Sequence, residues 1–359
     1  MRPTFAEIDL GAIRHNVTAI SEVIAPARFC AVVKADGYGH GDVPVASTAL
    51  DAGARSVAVA LVEEGARLRE AGVSAPILLL SEPTPDSAQD VVKWDLTSTV
   101  YSEPFIDALA ATGASMGVHL KVDTGMHRVG AHPGVISDLV SRVRSHSGLR
   151  LEAVWSHFAV AEDDAEFTLR QLDILQAAAA GLGADITRHI ANTAGALLFP
   201  EARLDMCRLG LGLYGFHPSP ETRDIVELRP AMSLVTHVTH VRRLEAGARP
   251  SYGRIKPLEA DATVVTVPVG YADGMTRGMS RNGSALINGR RYPLAGTVTM
   301  DQVMVTVGDD DVAIGDEVVL LGRQGDEEIT AYEWAEELDT IPHEIVCSKG
   351  PRVPRRYIS

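Results

Sequence analysis

Cysteine is scarce in this sequence, which has three such residues among 359. Cys30, Cys207 and Cys347 are odd in number and far apart along the chain. This usage indicates reduced thiols in a cytosol rather than a framework of disulfides.

Basic residues are fewer than acidic ones, 33 against 47, so the formal net charge is −14. This charge makes nucleic acid and anionic membranes poor partners. No apolar run approaches the roughly 18 residues that span a bilayer, and the first residues lack the apolar core of a signal peptide. We therefore expect a cytoplasmic protein that binds neither nucleic acid nor membrane.

What the sequence does contain is enough apolar surface for a large core. Hydrophobic residues make up 46% of the chain and charged residues 22%, which is typical of folded globular proteins. A length of 359 residues predicts one large domain or two.

Strand-like and helix-like segments alternate along the first part of the chain. Eight strand-like runs follow a helix at Gly11–Ala25, most of them with an Ala-rich amphipathic segment behind. The pattern predicts an α/β fold with an N-terminal (β/α)8, TIM-like barrel. A doubly wound open sheet is the alternative, although such sheets more often have about six strands. The predicted strands are Arg28–Ala35, Ser56–Ala60, Pro76–Ser81, Thr97–Val100, Met116–Thr124, Leu149–His157, Ile186–Ala191 and Asp205–Leu209.

The pattern changes after about Leu228, where apolar and polar residues alternate over short runs separated by turns such as Asn288-Gly289. This predicts a mostly β C-terminal domain with one helix near Ala331–Leu338. We place the boundary near Arg229-Pro230, which gives a barrel at residues 1–229 and a β domain at residues 230–359. The early strand Thr4–Leu10 is a candidate to pair with the β domain.

One lysine stands where a buried strand turns into a Gly-rich loop. Within Ala31–Gly41, an apolar run leads directly to Lys34. A cation at such a position is costly unless it is paired or neutral. It is either a lysine whose side chain reaches solvent or a Schiff-base lysine held on a rigid strand.

The carboxyl ends of the other predicted strands also carry polar and basic groups. Chemistry in a TIM barrel takes place at these ends, and the loops after strands seven and eight usually bind phosphate. An anionic ligand is therefore expected there. The segments concerned are Lys121–Gly130, Ser156–Phe158, Ala191–Thr193 and Arg208–Gly212.

Two short motifs are misleading. Gly210–Gly215 matches G-x-G-x-x-G, but it follows the last barrel strand and lacks the helix that a dinucleotide site needs. His343-Glu344 begins like the zinc motif H-E-x-x-H without its second histidine, so no metal site is predicted. We interpret His343–Cys347 as a strand segment.

Over nearly its full length, the sequence resembles the bacterial alanine racemase family. Members of this family are fold-type III pyridoxal-phosphate enzymes. The resemblance implies an isomerase that interconverts L- and D-alanine by a two-base mechanism and supplies D-alanine for cell-wall peptidoglycan. It also implies pyridoxal 5'-phosphate as cofactor and a homodimer that shares its sites between subunits. The resemblance rests on Ala31–Gly41, Lys121–Gly130, Ser156–Phe158, Arg208–Gly215, Ser251–Gly253, Val269–Gly274, Met300–Gln302 and Arg352–Tyr357.

The resemblance implies that Lys34 holds the cofactor and moves the α-proton on one face of the substrate, while Tyr252 of the other subunit acts on the opposite face. Arg208 resembles the arginine that donates to the pyridine nitrogen, and His157 is expected to form a hydrogen bond with Arg208. The remaining implied cofactor contacts are Tyr38, Asn192, Thr193, Gly210, Leu211 and Tyr357.

The substrate contacts follow from the same resemblance. Arg128 matches the residue that binds the substrate carboxylate, and Lys121 matches a lysine that many relatives carry as N6-carboxylysine, a carbamylated form able to orient Arg128. Tyr271 matches a residue at the substrate entry. Met300 and Asp301 match residues that the partner subunit contributes.

Some positions depart from the family pattern. Thr299 stands where a cysteine is common before Met-Asp, Thr193 keeps the hydroxyl of a common serine, and His127 lies at a variable position. Thr299 leaves a broad-specificity or serine racemase as an alternative. A non-catalytic pyridoxal-phosphate-binding protein is another, but those relatives are single barrels.

Overall fold

The computed structural model describes residues 2–359. Contacts divide the chain into two compact units. One, here called the barrel unit, contains Ala12–Gly37 and Gly41–Arg229. The other, the β unit, contains the chain up to Gly11, the short segment Tyr38–His40, and Pro230–Ser359.

The barrel unit contains eight parallel strands in two four-stranded sheets. Backbone hydrogen bonds join the two sheets at both edges: Leu79 N donates to Thr97 O, and Arg208 N donates to Ala191 O, each at 3.0 Å. The strands therefore close into the predicted barrel, and the open-sheet alternative is wrong. In chain order the barrel strands are Arg28–Val32, Ser56–Val59, Ile77–Leu79, Ser98–Val100, Met116–Lys121, Leu149–Trp155, Thr187–His189 and Met206–Leu209.

Helices alternate with the barrel strands, one before the first strand and the others after later ones, and several bury a single face. In Ile136–Ser145, for example, Ile136, Leu139, Val140 and Val143 are buried, the spacing that places side chains on one helix face. The helices are Leu10–Ile24, Asp42–Asp51, Val62–Glu70, Ala88–Lys93, Glu103–Ala111, Ile136–Ser145, Ala165–Ala178 and Thr193–Leu198.

The β unit is built on a seven-stranded sheet and a three-stranded sheet. The early strand Phe5–Asp9 lies inside the larger sheet, antiparallel to Met232–His237 and parallel to Arg355–Ile358. The larger sheet is completed by Ser284–Ile287, Arg290–Pro293, Glu317–Gln324 and Glu327–Ile329, and the smaller sheet consists of His240–Leu244, Ala262–Val267 and Val303–Gly308.

One predicted strand is a helix. His343–Cys347 lies in the helix Pro342–Cys347, which follows the extended residue Ile341. Proline favours the first helical position, because its fixed φ suits a helix and its missing N–H has no partner to lose there. Ile345 and Val346 are buried, so their apolar character reflects burial and not a strand.

No helix within residues 2–359 has both the length and the apolar character needed to cross a membrane.

Candidate active site

Lys34 begins a left-handed turn just after the first barrel strand. Ala35, Asp36 and Gly37 have φ angles of +54°, +54° and +58°. Gly37 N donates to Val33 O at 2.9 Å, and Gly41 N donates to Asp36 O at 2.8 Å. Each non-glycine residue in the left-handed region of φ and ψ costs roughly 1–2 kcal/mol of conformational free energy. The chain therefore maintains a strained turn directly beside a half-buried lysine.

Glu64 fixes this turn, a role that the sequence analysis missed. Its carboxylate accepts a hydrogen bond from Ala35 N at 2.7 Å and others from Ala60 N and Leu61 N at 2.8 and 3.1 Å. Through these three contacts, Glu64 joins the turn to the residues that follow the second barrel strand. A polar N-cap usually reveals such a glutamate in a sequence, but the N-cap here is Leu61.

Arg208 is buried on the last barrel strand and is held in place by several acceptors. Its Nη2 donates to Ser156 O at 2.7 Å and to Ile190 O at 2.9 Å. The predicted hydrogen bond to His157 is present, from Nη2 to Nδ1 at 3.1 Å, and Nη1 donates to His189 Nδ1 at 2.7 Å. Burial lowers the pKa of Arg208 to about 10, so the guanidinium remains charged at neutral pH.

Trp155 is the aromatic centre of this cluster, and the sequence analysis also missed it. Its ring centroid lies 4.4 Å from Arg208 Cζ and 4.2 Å from Lys121 Nζ. The ring of His189 stacks on Trp155 at 5.3 Å with an interplanar angle of 12°. Two basic side chains therefore lie against one aromatic ring, whose face attracts a cation in a desolvated site.

Lys121 is buried at the carboxyl end of the fifth barrel strand. Its Nζ donates to Leu80 O at 3.3 Å. Burial lowers the pKa of Lys121 to about 7, and the positive charges of Arg208, Arg128 and Lys34 act in the same direction. About half of this amine is consequently neutral near pH 7.

The loop after Lys121 carries an acidic group, Asp123, whose charge favours protonation of Lys121. Burial opposes ionisation of Asp123, but hydrogen bonds from His127 and Gly125 hold its pKa below the usual value. The imidazole Nδ1 of His127 lies 3.0 Å from Asp123 Oδ2. Arg128, the next residue, is exposed. The barrel end thus has an excess of positive charge, which favours an anionic ligand.

The loops after the seventh and eighth strands are joined by Thr193, whose Oγ1 accepts a hydrogen bond from Gly212 N at 3.2 Å. Asn192 caps the helix Thr193–Leu198, because its Oδ1 accepts from Gly195 N at 2.9 Å. Gly210 and Leu211 lie at the start of the turn that brings Gly212 to Thr193. The structure thus brings Asn192, Thr193, Gly210 and Leu211 together at the carboxyl end of the barrel.

In the β unit, Tyr252 projects from a strained loop. Ser251 and Gly253 have φ angles of +69° and +70°. Thr297 anchors the loop from both sides, since its carbonyl accepts from Ser251 Oγ at 2.6 Å and its hydroxyl donates to Tyr252 O at 2.7 Å. The backbone is thereby fixed while 73% of Tyr252 remains exposed.

The predicted substrate-side residues of the β unit lie on two adjoining loops. Tyr271 N donates to Thr299 O at 2.9 Å, and Ala272 N donates to Met300 O at 3.1 Å. Tyr271 and Met300 are both exposed. Asp301 accepts from Arg352 Nη2 at 2.7 Å. The structure thus brings Tyr271, Met300 and Asp301 together.

The buried carboxylate of Asp273 holds the turn that bears Tyr271. It accepts hydrogen bonds from Arg2 Nη1 at 2.6 Å and from Gly270 N at 2.9 Å, and Arg352 Nε lies at 3.4 Å. This group is paired and hydrogen-bonded, as a buried charge must be.

Two further predicted cofactor residues belong to the β unit. The ring of Tyr38 lies 5.7 Å from that of His343, and burial raises the pKa of the Tyr38 hydroxyl. Tyr357 is paired with Ile8 in the parallel strands and is partly exposed.

Among residues 2–359, no group of three or more His, Cys, Asp or Glu side chains is placed so that it could hold a metal ion.

The fold and the site define a class of protein: a (β/α)8 barrel with a lysine-containing cluster of cations at its carboxyl end, followed by a β domain. Family models described as "Alanine racemase, N-terminal domain" and "Alanine racemase, C-terminal domain" match residues 8–218 and 231–357. The chain belongs to the alanine racemase family, which confirms the resemblance and the fold class drawn from the sequence.

Individual proteins agree over almost the whole chain. An alanine racemase of Symbiobacterium thermophilum is 46% identical, covering 99% of this chain and 97% of its own. The structure of alanine racemase from E. faecalis is 37% identical with a TM-score of 0.95, covering 99% and 98%. The structure from Bacillus anthracis with bound L-Ala-P is 36% identical with a TM-score of 0.93, covering 100% and 96%.

Proposed function

We propose that this protein is a pyridoxal-phosphate-dependent racemase that interconverts L- and D-alanine. The observation that carries the proposal is the strained turn that begins at Lys34. This turn lies at the carboxyl end of a barrel that also carries Lys121, Arg128 and Arg208. A lysine beside other cations at the mouth of a barrel suits covalent capture of a carbonyl and binding of an anion.

The donor set fits pyridoxal phosphate. Lys34 supplies an amine, Arg208 a fixed cationic donor, and Thr193 with the backbone at Gly210 and Leu211 a polar end for the phosphate. Asn192, His157, Tyr38 and Tyr357 complete the proposed contacts. When bound, the cofactor withdraws electrons from the α-carbon of the amino acid, so that its proton becomes acidic.

Racemisation requires that a proton leave one face of the α-carbon and return on the other. We assign the first face to Lys34 Nζ and the second to the Tyr252 hydroxyl of the partner subunit. A general base contributes about 10²–10⁴-fold when it is correctly placed. The anchoring of the Tyr252 backbone by Thr297 supplies that placement within the β unit.

Arg208 decides which reaction is favoured. Because a guanidinium stays protonated, Arg208 would donate a hydrogen bond to the ring nitrogen of the bound cofactor and would disfavour protonation of that nitrogen. This would limit the accumulation of negative charge in the ring and suppress competing reactions. The backbone acceptors at Ser156 and Ile190 hold the guanidinium in one orientation.

Arg128 binds the substrate carboxylate by charge-assisted hydrogen bonds. A neutral Lys121 amine can add to carbon dioxide through a new N–C bond and release one proton to solvent, and the resulting carbamate would place an anion where it orients Arg128. The lowered pKa of Lys121, about 7, supports this modification. Tyr271 lines the entry, and Met300 and Asp301 are contributed by the partner subunit.

As part of the same proposal, we infer that the protein is a cytoplasmic homodimer. Its product, D-alanine, would then supply peptidoglycan synthesis. A serine or broad-specificity racemase is not favoured, because the Thr299 hydroxyl donates to Gln302 O at 2.7 Å within its own loop. A non-catalytic binding protein is not favoured either, because the C-terminal domain model of the family matches residues 231–357.

The test is the conversion of L-alanine to D-alanine by purified protein supplied with pyridoxal phosphate. We expect Lys34→Ala to lower kcat about a thousand-fold or more and to abolish the borohydride-reducible adduct with the cofactor. Lys93→Ala, which changes an exposed barrel lysine, is the control and should retain both. Wild-type protein that binds the cofactor and leaves L-alanine unconverted would overturn the proposal.

A further inference from the structure

Three side chains form a chain of hydrogen bonds through the interior of the barrel unit. Arg208 Nη1 lies 2.7 Å from His189 Nδ1, and His189 Nε2 lies 3.3 Å from His119 Nδ1. The rings of His119 and His189 meet edge to face with centroids 5.3 Å apart. His189 is fully buried.

The donors and acceptors of this chain allow one arrangement of protons. Arginine has only donors, so His189 Nδ1 must accept and its hydrogen must be on Nε2. That hydrogen is directed to His119 Nδ1, which must accept in turn, so the hydrogen of His119 is also on Nε2. Burial and the positive charge of Arg208 lower the pKa of His119 to about 3 and that of His189 well below its ordinary value, so both rings are neutral.

The far end of the chain lies at a cavity at the amino ends of the barrel strands. The cavity has a volume of about 170 Å³ and is lined by His119 and by the first residues of several strands, among them Arg28, Ser56 and Met206. His119 stands two residues before Lys121 on the fifth strand, so both point to the same face. The chain therefore extends from Arg208 toward the end of the barrel opposite to the proposed active site.

We propose that His119 is a positioning residue for Arg208, acting through His189. It supplies the acceptor that keeps the hydrogen of His189 on Nε2 and leaves Nδ1 free to accept from Arg208. Without that acceptor, a buried N–H loses its partner, which costs the desolvation of that group. The side chain of His189 then becomes more stable if its ring turns or if its hydrogen moves from Nε2 to Nδ1. Either change removes an acceptor from Arg208.

The inference rests on the proposed function for its effect on catalysis, but the tautomer can be measured without activity. Nitrogen-15 NMR of the labelled full-length protein, as purified, reports which ring nitrogen of His189 carries the hydrogen. We expect Nε2 in the wild type and in His119→Asn, since the amide oxygen of asparagine can replace Nδ1 as acceptor. In His119→Phe we expect a mixed or reversed assignment.

The kinetic expectation is specific. His119→Phe should lower kcat for L-alanine about ten-fold, as is common for residues that orient an active group, with KM within two-fold because Arg128 still binds the carboxylate. His119→Asn should restore most of kcat. Thr97→Val, which changes the lining of the same cavity outside the chain of hydrogen bonds, is the control and should leave both readouts unchanged.

Several outcomes would overturn the proposal. A wild-type His189 with its hydrogen on Nδ1 refutes it even if no variant folds. An unchanged tautomer and an unchanged kcat in folded His119→Phe also refute it. A wild type that forms no D-alanine refutes the proposed function instead, and the nitrogen-15 assignment still decides the role of His119.

Discussion

Lys121 is the single residue whose chemistry depends most on its surroundings. It is buried against Trp155, and three other cations lie near enough to lower its pKa. A charged lysine is costly here, because both desolvation and like charges oppose protonation. Either loss of the proton or conversion to a carbamate relieves that cost.

This cost makes stability depend on pH in a definite direction. The pKa of Lys121 is about 7 in the folded chain against an ordinary value of 10.5. Between these values the unfolded chain binds more protons, so the contribution of Lys121 to the free energy of unfolding rises with pH. In CO₂-free buffer, we expect the stability of the wild type relative to Lys121→Met to increase from pH 7 to pH 10. Urea unfolding at several pH values measures this.

Bicarbonate provides the control for that experiment. A carbamate that forms only in the folded chain binds one proton fewer than the ammonium group of the unfolded chain, so added bicarbonate should raise the stability of the wild type relative to Lys121→Met while the increase with pH persists. The exposed Lys93 should show no such effect in Lys93→Met. Parallel stability curves for wild type and Lys121→Met would contradict the expected burial cost.

Single residues differ in how far the sequence reveals them. Lys34 and Arg208 stand in recognisable motifs at strand ends, and the hydrogen bond from Arg208 to His157 was predictable from these motifs. Trp155 and His189 were not predictable as site residues, because an aromatic or histidine on a buried strand is most often part of the core. Their contacts join strands far apart in sequence.

Among the local elements, the segment just after the left-handed turn at Lys34 contains a position that requires glycine. Gly39 has a φ of +78°, and a Cβ there would overlap the carbonyl oxygen of Val346. Both the conformation and the close approach require glycine.

We predict that Gly39→Ala destabilises the protein more than its backbone angle alone explains. Gly113 has a nearly equal φ of +75° with open space around it, so Gly113→Ala is the matched control. We expect Gly39→Ala to lower the free energy of unfolding by about 2 kcal/mol more than Gly113→Ala, the usual cost of overpacking. Urea denaturation measures the difference, and equal losses in the two variants would contradict the predicted overlap.

Element types were largely predictable, and their ends were not. All eight barrel strands and the helix Ala331–Leu338 occur where the pattern placed them. The first strand ends at Val32 and not at Ala35, because the lysine-bearing turn begins within the apolar run. The pattern predicts a strand where the structure has the helix Pro342–Cys347, because six residues are too few for a helical period to appear.

At the scale of the whole molecule, the two proposed proton-transferring groups belong to different units. Lys34 lies in the barrel unit and Tyr252 in the β unit. Tyr252 is 73% exposed in the single chain, whereas a group that transfers protons works best in a site closed to water. This exposure supports the proposal that Tyr252 completes the site of a partner subunit.

Hybrid dimers test that proposal directly. If sites are shared, a dimer of Lys34→Ala and Tyr252→Phe chains has one site with both residues intact and one site with neither. Random pairing of equal amounts yields about half hybrids, each with one of two sites active, hence about a quarter of wild-type activity. Each variant alone should be nearly inactive.

Differently tagged chains, refolded together and purified through both tags, establish that hybrids form. Purified hybrids without D-alanine formation would mean that Tyr252 acts on the site of its own chain or not at all, because only exchange between subunits can restore a complete pair.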